Sequence, residues 1–416
     1  MTQELKKNTP ENFEFLKGDK VLWMCIIVIS VFSVFPVYSA SSNLVYIVNN
    51  GTTTGHVIKH MIFVILGLGI MRAVEAIKYE YIGKLSSIML SITIVLLVIT
   101  LFSGQTIEGA SASRWLKIPG TPISFQPSTF AYLTLIIYLC RYLTKKIQRE
   151  RLPIENIIYI FGPILIVFFL VAKDNGSTAL MLIMVSICIL IVGQLNWKYI
   201  VGFISTAFVA SGLFVFMILG TNLKTGNRVH TWLSRIETFT STKITRHVED
   251  ESLKTKNYQT SQAKAAIVNG GITGKGPGKS ALKQMLPQSA SDFIFAIIVE
   301  EYGLVGAFFL LLMYFIMVIR IVIIASKMPA FFGSLLVLAI GIMIFVQLSV
   351  NIAVATNLIP VTGQPLPLIS YGGTSMLVTY LQLGIILNVS SRIQTYNEEG
   401  LRKKQNVNTE EVNDIA

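Results

Sequence analysis

Residues 293–323 read FIFAIIVEEYGLVGAFFLLLMYFIMVIRIVI. A helix that spans a membrane needs about 20 mostly apolar residues. This run is longer, and its only charges are Glu300, Glu301 and Arg320. Nine other runs have the same character: 20–40, 56–77, 81–102, 127–147, 154–173, 176–195, 198–220, 331–357 and 367–390. Polar loops or Gly/Pro turns separate them. The pattern predicts an all-α polytopic membrane protein of about ten transmembrane helices, with a long extracytoplasmic loop, 221–291, between helices 7 and 8.

Composition agrees. The 416 residues are 53% hydrophobic and 13% charged, with a mean hydropathy of +0.64. Soluble domains carry about 25% charge, so this chain cannot wet a globular surface. A soluble enzyme and a nucleic-acid-binding protein are excluded despite the net charge of +12, and so is disorder, which needs low hydrophobicity. Cys25, Cys140 and Cys188 all fall in apolar runs, so no disulfide framework is implied. Acidic residues (Glu4, Glu11, Glu14 and Asp19) precede the first long run, which reads as an uncleaved anchor rather than a signal peptide.

With the N-terminus inside, the short outer segments hold only Lys59, Arg114, Lys117 and Lys173. The inner ones hold several times as many, including Arg141, Lys145, Lys146, Arg149 and Arg151. The positive-inside rule then places both termini in the cytoplasm: a tail at 1–19, a transmembrane domain at 20–391 and a second tail at 392–416. Two outer segments, 103–126 and 221–291, are too long for simple turns, and long loops are usually functional. Within the second, Val229, Trp232, Leu233 and Ile236 share one helical face, as in a short helix lying in the membrane interface.

Three stretches carry chemistry. Residues 286–305 (LPQSASDFIFAIIVEEYGLV) place Asp292 where a polar loop enters an apolar helix. It serves either as a helix N-cap or, its pKa raised by partial burial, as a base. Glu300 and Glu301 lie two turns further in, about 12 Å along the axis. Carboxylates at that depth default to functional hypotheses, but pairing with basic groups on neighbouring helices is the preferred expectation. Residues 113–128 (SRWLKIPGTPISFQPS) flank Trp115 with Arg114 and Lys117, either an interfacial belt or cations for an anionic substrate. Residues 361–375 (VTGQPLPLISYGGTS) interrupt an apolar stretch with Pro365, Pro367, Gly372 and Gly373, as in broken helices that line cavities.

Other motifs are weaker. GKGPGKS (274–280) looks like a nucleotide P-loop, but the required first glycine is Thr273 and no strand precedes it. It reads either as a plain turn or as one whose amides and lysines meet a different phosphate. His56 and His60 have metal-pair spacing but no third ligand, so packing is expected. Glu75 and Glu80, among Arg72, Lys78 and Lys84, are expected to form surface ion pairs.

Four motifs in order resemble the SEDS family (shape, elongation, division and sporulation): SRWLKI with FQPS, GGITGKGPGKS, SDFIFAIIVEEYGLVG, and NIAVATNLIPVTGQPLPLISYGGTS. The likeness is greatest to the FtsW-type division branch, with the RodA-type elongation branch close. It implies a peptidoglycan glycosyltransferase that polymerises lipid II on the outer face of the cytoplasmic membrane at the division septum. The implied partners are a class B penicillin-binding protein transpeptidase and other division-complex membrane proteins, with no nucleic acid. The family's essential aspartate falls on Asp292 as general base. Candidate substrate-binding residues are Arg114, Trp115, Lys117, Gln126, Ser128, Lys275, Lys279 and Ser370. No metal ligands are assigned, although a divalent cation, Mg or Mn, is compatible with a pyrophosphate leaving group. The chain departs from the family at Thr129, where a glutamate is usual, at 173–177, which lacks a proline, and at Ala290-Ser291, often His-Thr. A lipid II flippase and a non-catalytic division scaffold are the competing readings.

Overall fold

A computed structural model describes residues 17–48, 52–103, 115–117, 124–147, 155–173, 175–207, 251–281 and 290–393. Its helices are α1 (Lys20–Val48), α2 (Thr53–Ala76), α3 (Tyr79–Ser103), α4 (Pro127–Ile147), α5 (Glu155–Ala172), α6 (Gly176–Val192) and α7 (197–207). They continue with α8 (Glu251–Gly270), α9 (Ile294–Lys327), α10 (Phe331–Ala355) and α11 (Gly373–Ser391). Two short antiparallel strands, β1 (Leu116–Lys117) and β2 (Ser124–Phe125), precede α4.

Each of the ten apolar runs carries helix, because backbone polar groups in lipid must be satisfied within the segment. By length and composition α1, α2, α3, α9, α10 and α11 can each cross a membrane, and α5 and α6 contribute shorter apolar helices. The protein is an all-α polytopic membrane protein. The run predicted at 367–390 is corrected at its start: helix begins only at Gly373, after an irregular stretch from 361. Pro365 and Pro367 withhold backbone donors there, and Leu368 takes a left-handed φ of 64°. A second correction concerns 221–291, read as loop, which contains the twenty-residue helix α8. The interfacial helix expected at 228–239 lies outside the described residues.

α1 and α9 pack against each other in antiparallel register, pinned at two levels. At one end Arg320 binds Asp19, with Nε donating over 3.2 Å and a second bond from NH2. At the other, Ser39 donates to Glu301. At 1.5 Å per residue the two pins are about 30 Å apart along α1, which matches the hydrocarbon thickness. Burial pushes the Asp19 carboxyl up, but its bonds to Arg320 and the Leu22 amide outweigh this and hold it below its ordinary value of 3.8. A depressed carboxylate adds stability above its unfolded pKa and loses it as pH falls through the folded one. Asp19→Asn is therefore expected to lower the melting temperature at neutral pH, with the deficit closing below about pH 4. Thermal unfolding of both proteins across that range checks this.

α2 and α11 pack closely. A Cβ on Gly67 would lie 2.0 Å from the Tyr380 ring, and one on Gly384 would lie 2.9 Å from the Met71 carbonyl oxygen. Asn388, buried on α11, donates to the carbonyls of Val74 (2.7 Å), Glu75 (2.9 Å) and Ile77. It thereby satisfies the end of α2, where helix carbonyls have no internal partner. Glu75 pairs with Arg72 at 3.2 Å, but it is buried rather than on the surface as expected. His60 is also buried, meeting Ser33 Oγ at 2.8 Å, and both His56 and His60 pack on the Tyr371 ring. Their spacing serves packing.

Candidate active site

The turn 290–293 leads into α9. The cap position falls on Phe293, which makes no side-chain capping bond, so Asp292 stands one residue outside it. The Asp292 side chain is half-buried. Its backbone is tied down from three sides. Asn351, buried on α10, donates from Nδ2 to the Asp292 carbonyl at 3.0 Å and to the Gln364 carbonyl at 2.7 Å. Ser370 Oγ donates to the Ser291 carbonyl at 2.5 Å and accepts from the Leu366 amide at 2.7 Å. The Tyr371 amide donates to the Ala290 carbonyl at 2.8 Å. Gly363, with φ 71°, passes beside the carboxylate, and a Cβ there would sit 3.3 Å from Asp292 Oδ2. The broken stretch before α11 is thus the seat of the acidic turn.

That seat reaches further. Gln364 Nε2 donates to Thr178 Oγ1 at 2.7 Å, and Asn175 caps α6 by accepting from the Thr178 amide at 3.4 Å. The 173–177 departure from the family pattern therefore still leaves α6 docked on the site. Asn175 also lines a narrow cleft with Leu97, Thr100, Pro127, Ser128 and Leu170. Gln126 donates to Ser128 Oγ at 3.0 Å at this edge. A second, tighter crevice lies behind the irregular stretch, between Ser370, Gln347 and Thr379. Asp292 lines neither.

The other candidates divide. Trp115 adjoins β1, and Lys117 is exposed on it opposite Ser124. Arg114 lies outside the described residues. Lys279 is exposed, whereas Lys275 is committed: its Nζ meets Glu300 Oε1 at 3.1 Å.

The glycine-rich segment is clipped onto α9. α9 is broken at Gly303 (φ 68°, ψ −171°). Into the break the segment 271–276 inserts as a glycine-rich turn, with left-handed φ at Gly271, Gly274 and Gly276. The amides of Lys275 and Gly276 donate to the carbonyls of Glu300 (3.0 Å) and Glu301 (2.9 Å). Those of Leu304 and Val305 donate back to Gly271 (3.0 Å) and Ile272 (3.1 Å). The Lys275 and Gly276 amides are thereby spent on α9. Glu300, fully buried, also accepts from Ser280 Oγ and from the Ala281 amide at 3.2 Å. Pairing of these carboxylates was expected, but the cation comes from the loop, not from a neighbouring helix. Residues 304–327 beyond the break reach about 36 Å, and Glu300 and Glu301 lie on the arm 294–302 before it.

Lys275→Ala is expected to destabilise by up to about 3 kcal/mol, because it strands a buried carboxylate while its own exposure moderates the loss. Glu300→Gln should cost less. Thermal unfolding ranks the two. A turnover defect in Lys275→Ala with unchanged melting would return that lysine to a substrate role.

Asn351, Gln364, Thr178 and Gly363 were not singled out from sequence. The available signal was an asparagine inside an apolar helix, a position that polar residues occupy at a cost.

Comparison with known proteins fits this architecture. A family model described as cell cycle protein, covering FtsW, RodA and SpoVE, matches residues 19–395. A probable peptidoglycan glycosyltransferase FtsW of Enterococcus hirae is 30% identical over 90% of this chain and 94% of its own. The corresponding protein of Trichlorobacter lovleyi is 29% identical over 92% and 95%. Among solved structures, a chain from a peptidoglycan synthase complex that coordinates polymerization and crosslinking superposes with a TM-score of 0.68 at 22% identity, covering 90% of this chain and 98% of that one; at that identity the match speaks for the fold. The chain therefore belongs to the SEDS family, the cell cycle proteins of the FtsW, RodA and SpoVE type, and is FtsW-like among them.

Proposed function

We propose that this protein is a peptidoglycan glycosyltransferase that polymerises lipid II during bacterial cell division. The observation that carries the reading is the half-buried Asp292 carboxylate at the entry to a membrane helix, its turn fastened to a broken helix beside it. The relatives' names support the same activity. Lipid II is an anion on a long lipid tail, which suits a membrane-embedded groove with basic loops. Asp292 takes the proton from the acceptor sugar's 4-hydroxyl as that oxygen attacks the donor's anomeric carbon with inversion. The donor's undecaprenyl pyrophosphate departs with the bonding pair. It is already a good leaving group, so no second carboxyl is needed as acid, unlike hydrolysis of an ordinary glycosidic bond. Arg114, Lys117 and Lys279 are the cations proposed to meet the departing charge. Trp115, Gln126 and Ser128 are proposed for the substrate groove, and Ser370 as the anchor of the catalytic turn.

The positive-inside distribution supports cytoplasmic termini, with Asp292 on the outer face at the septum. A class B penicillin-binding protein is the proposed transpeptidase partner. The test supplies lipid II to the purified complex and measures glycan polymer, with lipid II flipping in vesicles measured alongside. Polymer without flipping supports the polymerase; flipping without polymer replaces it by the carrier, and neither leaves the scaffold.

A further inference from the structure

Asn351 stands out among the buried polar groups. It is fully buried on α10, yet it touches two segments far apart in sequence, the acidic turn and the irregular stretch before α11. Its Nδ2 reaches the Asp292 carbonyl at 3.0 Å and the Gln364 carbonyl at 2.7 Å. Both of its N–H donors are thus used, whereas its Oδ1 is buried without a hydrogen-bond partner. The orientation is fixed by chemistry: turned over, Oδ1 would face two carbonyl oxygens. A buried acceptor left unpaired is costly, so this arrangement is not one that packing alone would select. Its return is that the two carbonyls are held by a single rigid amide. Gly363, next to one of them, is the residue that passes beside Asp292 Oδ2.

We infer that Asn351 is a positioning residue that clamps the Asp292 turn to the 361–371 stretch and so sets the aim of the carboxylate. The inference deepens the polymerase reading and rests on it for its kinetic effect; the clamp itself is a structural claim. Aim matters because misplacement of a reacting group by about 1 Å can cost 10²-fold in rate. Asn351→Asp keeps the shape but replaces the double donor with an acceptor facing two carbonyls. Asn351→Ala removes the clamp altogether.

The experiment uses the full chain with its transpeptidase partner. Initial polymerisation rates are measured against lipid II concentration for wild type, Asn351→Asp and Asn351→Ala. Hydrogen–deuterium exchange is followed across 290–293 and 361–371. The expected result is a loss in kcat of about 10²-fold with little change in KM, and exchange rising in both segments together. A purely structural role predicts raised KM and exchange spread along α10, which would overturn the proposal, as would unchanged kcat with unchanged exchange. Should neither Asn351 variant fold, Ser370→Ala cuts the neighbouring stitch to Ser291: exchange at 290–293 rising with 361–371 supports the coupling, and exchange confined to one segment overturns it. A wild type that makes no polymer defeats the enzymatic reading, and the exchange comparison still decides the clamp.

Discussion

Asp292→Asn is expected to cut glycan polymerisation by about 10²–10⁴-fold, the usual contribution of a positioned base, while yield and melting temperature stay near those of wild type. Asparagine is nearly isosteric, and the contact that holds this turn is made by the backbone: Asn351 grips the Asp292 carbonyl, not its carboxylate. That backbone contact survives the substitution. What disappears is the proton acceptor. Because a base acts on the hydroxyl as the new bond forms, the loss belongs in kcat rather than in KM. Asp292→Glu is a sharper probe. It keeps the acid but adds a methylene toward Gly363, whose Cα already leaves only enough room for a Cβ 3.3 Å from Oδ2. Its rate should also fall. Continuous polymerisation assays on the purified complex check both, and wild-type turnover by the asparagine variant would remove Asp292 from the chemistry.

The ten apolar runs were legible because lipid imposes a long, uniform hydropathy signal on any helix that crosses it. α8 carries no such signal. Its buried contacts come from Ala263, Ala266 and Ile267, and at Gly270 a Cβ would lie 2.0 Å from the Val299 carbonyl oxygen. A stripe of small residues lets two backbones approach, but in sequence it is hard to tell from loop composition. Asp292 was legible as a carboxylate at an apolar boundary. Its seat was not, since Asn351, Gln364 and Thr178 meet it from α10, the broken stretch and α6 only through the fold. GKGPGKS stayed open for the same reason. Glycines that admit a phosphate and glycines that admit another backbone read alike, and the choice depended on Gly303, a residue outside the motif.

Gly303→Ala is expected to destabilise the protein severely. Gly303 has φ 68° and ψ −171°, a conformation essentially reserved for glycine, and a Cβ would lie 2.3 Å from the Ile272 carbonyl oxygen and 2.4 Å from the Gly274 amide nitrogen. Strained backbone and overpacking each cost about 1–3 kcal/mol, so the sum is roughly 2–6 kcal/mol, comparable to the stability of many domains. Gly274→Ala should behave alike, because its Cβ would meet the Glu301 carbonyl oxygen at 2.3 Å from the other side of the same junction. Gly278→Ala is the control: its φ is 74°, but nothing lies within 4 Å of its Cβ, so it bears backbone strain alone, about 1–2 kcal/mol. Relief by straightening is closed to Gly303→Ala. An unbroken α9 of 34 residues would extend about 51 Å at 1.5 Å per residue, well beyond a hydrocarbon core of about 30 Å. It would also separate Glu300 from Lys275 and Ser280, which satisfy it only when the segment 271–281 is clipped into the break. Thermal unfolding in nanodiscs and limited proteolysis at 271–281 measure the ranking, and equal stability of Gly303→Ala and Gly278→Ala would mean that α9 is not broken and that the glycine-rich segment is free after all.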